Sequence, residues 1–220
     1  MTTKKTLKEF ANIALSATEI EGKIDFAGIF GRKAAVHIEV GSGKGTFLVN
    51  QATALPDVNF LGIEWANKYY KFAVDRIGRR GLGNVRVIRT EAALFIAENV
   101  GDETVDCFHI YFPDPWPKKR HHKRRFISTA NVEQFYRCLK PAGVVNIATD
   151  HQEYFEWMGE VFAGFKDKFE KVDFIKPAGA TEDECAGTNF ERKYLKENRA
   201  IYTTAFRKIL NPNIEILNKS

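Results

Sequence analysis

The stretch Ala35-Val36-His37-Ile38-Glu39-Val40-Gly41-Ser42-Gly43-Lys44-Gly45-Thr46 runs from an apolar segment directly into three glycines spaced two apart. Phe47, Leu48, Gln51, Ala52 and Leu55 then recur at helical spacing until Pro56 stops the segment. Strand, tight turn and helix in that order form the opening unit of a parallel βα repeat. The same alternation continues along the chain. Strands are expected at Asn59–Glu64, Val85–Arg89, Thr104–Phe112 and Val144–Thr149. Helices are expected near Ala66 to Ile77, Glu91 to Asn99, Phe126 to Leu139 and Gln152 to Phe165. Phe169–Ile175 and Ile201–Arg207 alternate like strands and flank a polar stretch, Lys176–Asn189, that reads as a loop. The pattern predicts an α/β fold: a doubly wound, mostly parallel sheet of about seven strands with the last one reversed.

The bulk numbers agree with one globular domain. The chain has 220 residues, 44% of them hydrophobic and 28% charged, enough for a sizeable core. Residues 1–30 read as a helical or partly disordered extension, and 31–220 as a single domain. No run approaches the roughly 18 apolar residues of a membrane span, and Met1 to Ile20 lacks a secretory h-region, so a cytoplasmic protein without membrane attachment is expected. Cys107, Cys138 and Cys185 are far apart and odd in number, which gives neither a disulfide framework nor a zinc site. His37, His109 and His151 show no ligand spacing, so no metal is expected.

Three nucleotide classes compete for the glycine turn. A Walker A loop fails because Ile38 stands where its first glycine belongs and Gly45 follows Lys44 in place of Ser or Thr. A dinucleotide fingerprint fails because Thr46 occupies its third glycine position. What remains is GxGxG at Gly41, Gly43 and Gly45, preceded by the acid Glu39, which matches the first motif of S-adenosylmethionine-dependent methyltransferases. Glu64, closing the second strand, is placed for a bidentate hydrogen bond to two ribose hydroxyls. A nicotinamide enzyme would carry the same acid, so Glu64 marks a nucleoside binder without naming the nucleoside.

A second informative stretch follows the strand ending at Phe112. It is Pro113-Asp114-Pro115-Trp116-Pro117-Lys118-Lys119-Arg120-His121-His122-Lys123-Arg124-Arg125. Three prolines stiffen it, so Asp114 is aimed rather than free. Six lysines and arginines without an acid stand out in a chain whose net charge is +5, and they point to a polyanion, foremost the phosphates of a nucleic acid, contacted by Lys119, Arg120, His121, His122, Lys123, Arg124 and Arg125. Trp116 fits either stacking on a base or packing beneath the loop.

The run from Glu39 through Glu64 and Pro113–Arg125 to Thr188-Asn189-Phe190-Glu191 resembles the bacterial tRNA (guanine-N7-)-methyltransferase family over roughly Ala35 to Arg207. The resemblance implies a Rossmann-like domain of the class I methyltransferase type. It also implies S-adenosylmethionine as cofactor, S-adenosylhomocysteine as product, and tRNA as substrate, modified at N7 of guanosine 46 in the variable loop. Carried over by position, Glu39, Glu64, Glu91 and Asp114 would contact the cofactor. Lys118, Asp150, Thr188, Asn189, Phe190 and Glu191 would contact tRNA, and Asp114 would be the catalytic residue. One position departs: the family usually has Asp where this chain has Glu91. Read alone, Asp150 and Thr188 are helix caps. Two alternatives stand beside the resemblance: a methyltransferase acting on another RNA or base atom, and a tRNA-binding protein without chemistry. Monomer and dimer are both compatible with the sequence.

Overall fold

The computed structural model describes residues 6–210, so the ends of the expected extension and domain, residues 1–5 and 211–220, lie outside it. The central strands are apolar runs because both faces of the sheet are covered. β1 (Ala14–Leu15) and α1 (Phe26–Phe30) precede the first full unit, β2 (Ala35–Val40) with α2 (Thr46–Ala54). Then come β3 (Val58–Ile63), α3 (Asn67–Gly78), β4 (Val85–Ile88), α4 (Ala92–Asn99), β5 (Val105–Tyr111), α5 (Thr129–Cys138), β6 (Leu139–Thr149) and α6 (Gln152–Ala163). β7 (Phe169–Val172), α7 (Asn189–Lys196) and β8 (Tyr202–Lys208) complete the chain.

The strands form one sheet in the order β1-β4-β3-β2-β5-β6-β8-β7. All pairings are parallel except those of β8, which lies antiparallel to both β6 and β7. Seven strands are expected from the periodicity; the eighth is β1, too short at two residues to leave an alternating pattern. The chain winds outward from β2 through β3 to β4, then returns to the centre and proceeds through β5 and β6. The order therefore reverses between β2 and β5, where doubly wound sheets open a ligand crevice beyond the strand C-termini.

Two apolar clusters occupy the two faces. Phe47, Leu48, Ala73, Val74 and Ile77 from α2 and α3 pack with Phe60, Val85 and Val87 on one side. Phe95, Phe135, Tyr154, Met158 and Phe162 from α4, α5 and α6 pack on Ile38, Phe108 and Ile147 on the other. Residues 6–30 join both: Ile13 enters the first cluster, and Ile24, Phe26 and Phe30 the second. α7 starts at the last residue of the expected Lys176–Asn189 loop and fills a stretch to which the periodicity assigns no element, since Phe190 and Leu195 remain exposed and give it no buried apolar stripe. Among the described residues no helix is long and apolar enough to cross a membrane.

Candidate active site

A cleft of about 700 Å³ lies at the reversal point, within the usual size range of small-ligand sites. Its floor is the turn after β2. Gly41 and Gly45 hold φ at +75° and +69°, a left-handed conformation that a side chain would strain. At Gly45 the Cβ of Ala73 on α3 would lie 3.0 Å from any added Cβ, so the helix closes against bare backbone. The Gly41 and Ser42 amides donate to the Ile63 carbonyl, tying the turn to β3.

Glu64 staples the same region. Its Oε2 accepts from the Gly43 amide and its Oε1 from the Ala66 amide, both at 2.7 Å, which fixes the carboxylate in the cleft wall with lone pairs still open. Glu39, only 4% exposed on β2, is different: its Oε2 has no hydrogen-bond partner among the described residues. Burial, with the nearby Glu64 charge adding to it, pushes its carboxyl well above the ordinary carboxylate range. A buried unpartnered oxygen beside a glycine cradle fits the polar end of a cationic ligand, and Ser42, whose buried Oγ is also unpartnered, lines the same cleft. Glu91 caps α4, accepting from the Ala93 and Leu94 amides at 3.0 and 2.7 Å, so its longer side chain curls back onto its own helix at the cleft rim.

The opposite wall is the proline-rich loop. Phe112 and Trp116 both hold positive φ, +53° and +45°, and bracket Pro113-Asp114-Pro115 with two backbone kinks that bulky residues seldom adopt. Asp114 lines the cleft, is exposed, and has no hydrogen-bond partner among the described residues. Arg124 lies over the Trp116 ring at 4.9 Å, and both line the cleft.

Arg125 departs from the expected RNA contact. Its side chain is fully buried, Nε donates to the Pro115 carbonyl at 2.9 Å, and the guanidinium forks onto both oxygens of Glu153 over the rings of Tyr154 and Trp157. That pairing holds the Glu153 carboxyl below its usual range, chiefly through the hydrogen bonds. Arg125 is thus a strut for the loop and is not available to phosphate. Lys118 and the 3-10 turn Lys119–Arg124 remain at the surface, with His121 against Trp116 and His122 half-buried on Trp157.

The third wall comes from α7. Thr188 caps it, its Oγ accepting from the Glu191 amide at 3.1 Å, and Asn189 and Phe190 reach the cleft. Glu191 departs from the expected substrate contact. It is fully buried and accepts from the Cys185, Ala186 and Gly187 amides, shaping the preceding loop from inside. Asp150 lies outside the cleft lining and pairs with Arg199 at 2.7 Å, and the cap of α6 is His151 instead, with Nδ1 accepting from Tyr154 N. The cleft therefore gathers Glu39, Gly41, Gly43, Glu64, Glu91, Asp114 and Thr188 to Phe190, but not Gly45, Lys118, Asp150 or Glu191.

Sequence reading missed three features. Trp65, 72% exposed on the rim, directly follows Glu64, and that position was its signal. Tyr111 lines the floor, and burial pushes its phenol well up. His37 and His109 do come together, with Cys107, so that ligand-type atoms lie within 4.8 Å. His37 Nδ1 and His109 Nε2 share a hydrogen bond at 3.1 Å, and His109 Nδ1 meets the Tyr111 hydroxyl at 2.9 Å. Burial holds both imidazoles down, His37 to about 4, so they form a neutral polar seam between β2 and β5.

Comparison with known proteins extends this picture. A family model described as putative methyltransferase matches residues 33–204. The chain is similar to a "tRNA (guanine-N(7)-)-methyltransferase" of Rhodopirellula baltica (34% identity, 86% of this chain and 72% of that one). It is also similar to proteins of that name from Cupriavidus necator (37%, 84% and 70%) and Pseudomonas aeruginosa UCBPP-PA14 (35%, 84% and 75%). Among solved structures, a methyltransferase from Pyrococcus furiosus aligns with TM-score 0.56 at 18% identity, covering 84% of this chain and 80% of that one. A SAM-dependent methyltransferase from Aquifex aeolicus aligns at 0.54 and 15%, covering 82% and 86%. These structures share the fold. Identity above a third with the sequence relatives over 84% of this chain goes further: the chain belongs to the tRNA (guanine-N(7)-)-methyltransferase family.

Proposed function

We propose that the protein methylates N7 of a guanosine in tRNA, the variable-loop position conventionally numbered 46. The observation that carries this reading is the juxtaposition of an unpartnered, exposed Asp114 with the Glu39–Glu64 wall across one cleft. S-adenosylmethionine, when bound, supplies a sulfonium methyl whose C–S bond breaks as the N7 lone pair forms the new bond, leaving S-adenosylhomocysteine. Glu39, Ser42, Glu64 and the Gly41–Gly45 turn are the residues that would hold it, with Trp65 beside them on the rim.

Guanine N7 carries an in-plane lone pair and no proton, so the reaction needs no general base. The chain's residues act by alignment, worth up to roughly 7–11 kcal/mol, and by charge. Asp114 fixes the guanine edge and offsets the positive charge the ring acquires. The kinked loop, braced by Arg125, keeps that carboxylate in place, while Asn189 and Phe190 close the third wall. Arg124 and the exposed cations from Lys118 onward bind phosphates. We assign residues 31–220 to the catalytic domain; of the extension before it, residues 6–30 pack on both faces of the sheet.

Unmodified tRNA transcript incubated with methyl-labelled S-adenosylmethionine, digested and analysed for labelled nucleosides, tests the reading. Label appears in 7-methylguanosine and disappears when the variable-loop guanosine is replaced. Label in another nucleoside would overturn the acceptor, and tRNA binding without label would overturn the reaction. Asp114→Asn binds both ligands normally and loses about 10²–10³ in kcat, comparable with removal of one preorganised electrostatic group. Full turnover by that variant would remove Asp114 from the mechanism.

A further inference from the structure

Residues 65–90 carry seven lysines and arginines against one acid, Asp75. This second concentration of positive charge is spread over α3 (Lys68, Lys71, Arg76), the turn after it (Arg79, Arg80) and β4 with its end (Arg86, Arg89), and does not read as a run. Asp75 does not neutralise it outward: the acid is buried, accepting from Arg79 Nε and the Lys8 amide. Arg76 and Arg86 also spend their hydrogen bonds inward, on Thr46 and on the Ile29 carbonyl. Lys68 and Lys71 are exposed on α3 without an ion-pair partner among the described residues. Lys44 joins them, its Nζ 5.7 Å from the centroid of Phe72, one helical turn beyond Lys68. Tyr69, 39% exposed, projects from the same helix into the lining of the cleft.

Position gives this charge a use. α3 follows β3, on one side of β2, whereas the proline-rich loop follows β5, on the other. The cleft opens between them, with Tyr69 and Lys44 in one rim and Trp116 and Arg124 in the other. A target base entering the cleft would carry its backbone out past both rims. We propose that Lys44, Lys68 and Lys71 form a second phosphate-binding stripe, so that the tRNA backbone is gripped on both sides of the base being modified. The proposal rests on tRNA as substrate. Cations interleaved with an exposed aromatic at the cleft mouth suit single-stranded or loop RNA, where a phosphate track accompanies stacking bases.

The test measures tRNA binding of Lys68→Gln/Lys71→Gln against salt, with S-adenosylhomocysteine present. The log–log slope is expected to flatten by roughly 1.4–1.8, two contacts at 0.7–0.9 each, with affinity at low salt down on the order of tenfold. Lys68→Arg/Lys71→Arg retains the wild-type slope. The control pair Lys166→Gln/Lys171→Gln removes the same charge near β7 at the far sheet edge and leaves the slope unchanged. An unchanged slope in the α3 variant, or equal flattening in the control pair, overturns the stripe. Binding is read without turnover, so the slope judges the stripe even in an enzyme that transfers no methyl group, whereas the nucleoside assay judges the reaction.

Discussion

Replacing Arg125 with alanine separates two roles for a cation inside a basic run. The side chain is fully buried and reaches three acceptors: the Pro115 carbonyl and both oxygens of Glu153. Stranding the Pro115 carbonyl costs about 1–3 kcal/mol. Losing the guanidinium over Tyr154 and Trp157 costs about 1–2 kcal/mol. The ion pair adds no more than about 1 kcal/mol, because the Glu153 side chain is 51% exposed and rehydrates when released. The sum, about 2–6 kcal/mol, lowers Tm on the order of 10 °C for a chain of this size. Freed from the strut, the positive-φ geometry at Trp116 relaxes and Asp114 shifts, and a displacement near 1 Å costs about 100-fold in kcat. Differential scanning calorimetry, single-turnover methylation and the salt dependence of tRNA binding give the readouts. The expected result is a lower Tm and kcat with an unchanged salt slope. A slope reduced by roughly 0.7–0.9 with Tm intact would make Arg125 a phosphate contact and refute the reasoning.

Two further predictions concern buried carboxylates. Glu191→Gln takes one acceptor oxygen from the three amides of residues 185–187; a cost of about 1–3 kcal/mol, seen as faster hydrogen exchange there and a raised KM for tRNA, is expected with cofactor affinity unchanged. Unchanged exchange would return Glu191 to direct substrate contact. For Glu39, the folded carboxyl titrates above the unfolded value of 4.5, so its protonated form stabilises the empty protein fully at low pH, and that contribution is lost as pH rises toward the folded value. Glu39→Gln stays neutral, so its Tm advantage over the parent grows from pH 4.5 upward; a gap independent of pH in thermal melts would rule this out.

The units β2–α2 through β6–α6 could be read from the sequence because each strand is an apolar run and each helix buries a stripe that packs on the sheet. α7 was not, since its apolar residues Phe190 and Leu195 stay exposed. Its start was nonetheless written as Thr188-x-x-Glu191, a capping spacing whose acid folds back onto the preceding loop. That Glu39, Gly41, Gly43, Glu64 and Asp114 would face one cleft was legible, because a strand-to-helix turn and the strand ends put those positions at the point where the sheet order reverses. The fates of Arg125, Glu191 and Asp150 were not. Sequence does not distinguish a buried cation from its exposed neighbours, nor reveal that His37 meets His109 from a strand 72 positions away.

The placement of β8 between β6 and β7 has a consequence for synthesis on the ribosome. β2 through β6, with the glycine turn, Glu64 and the proline-rich loop, need nothing beyond α6 to pair. They can assemble before the residues that follow α6 are made. β6 then presents an open edge, and β7, once translated, has no neighbour, because its partner arrives some thirty residues later. The nascent chain therefore passes through a stage with two walls of the cleft built and a sticky sheet edge exposed. Arrival of β8 covers the β6 edge, gives β7 its partner as the outer strand, and pulls the α7 segment, which lies between the two late strands, across the cleft, so the third wall is completed in the same event.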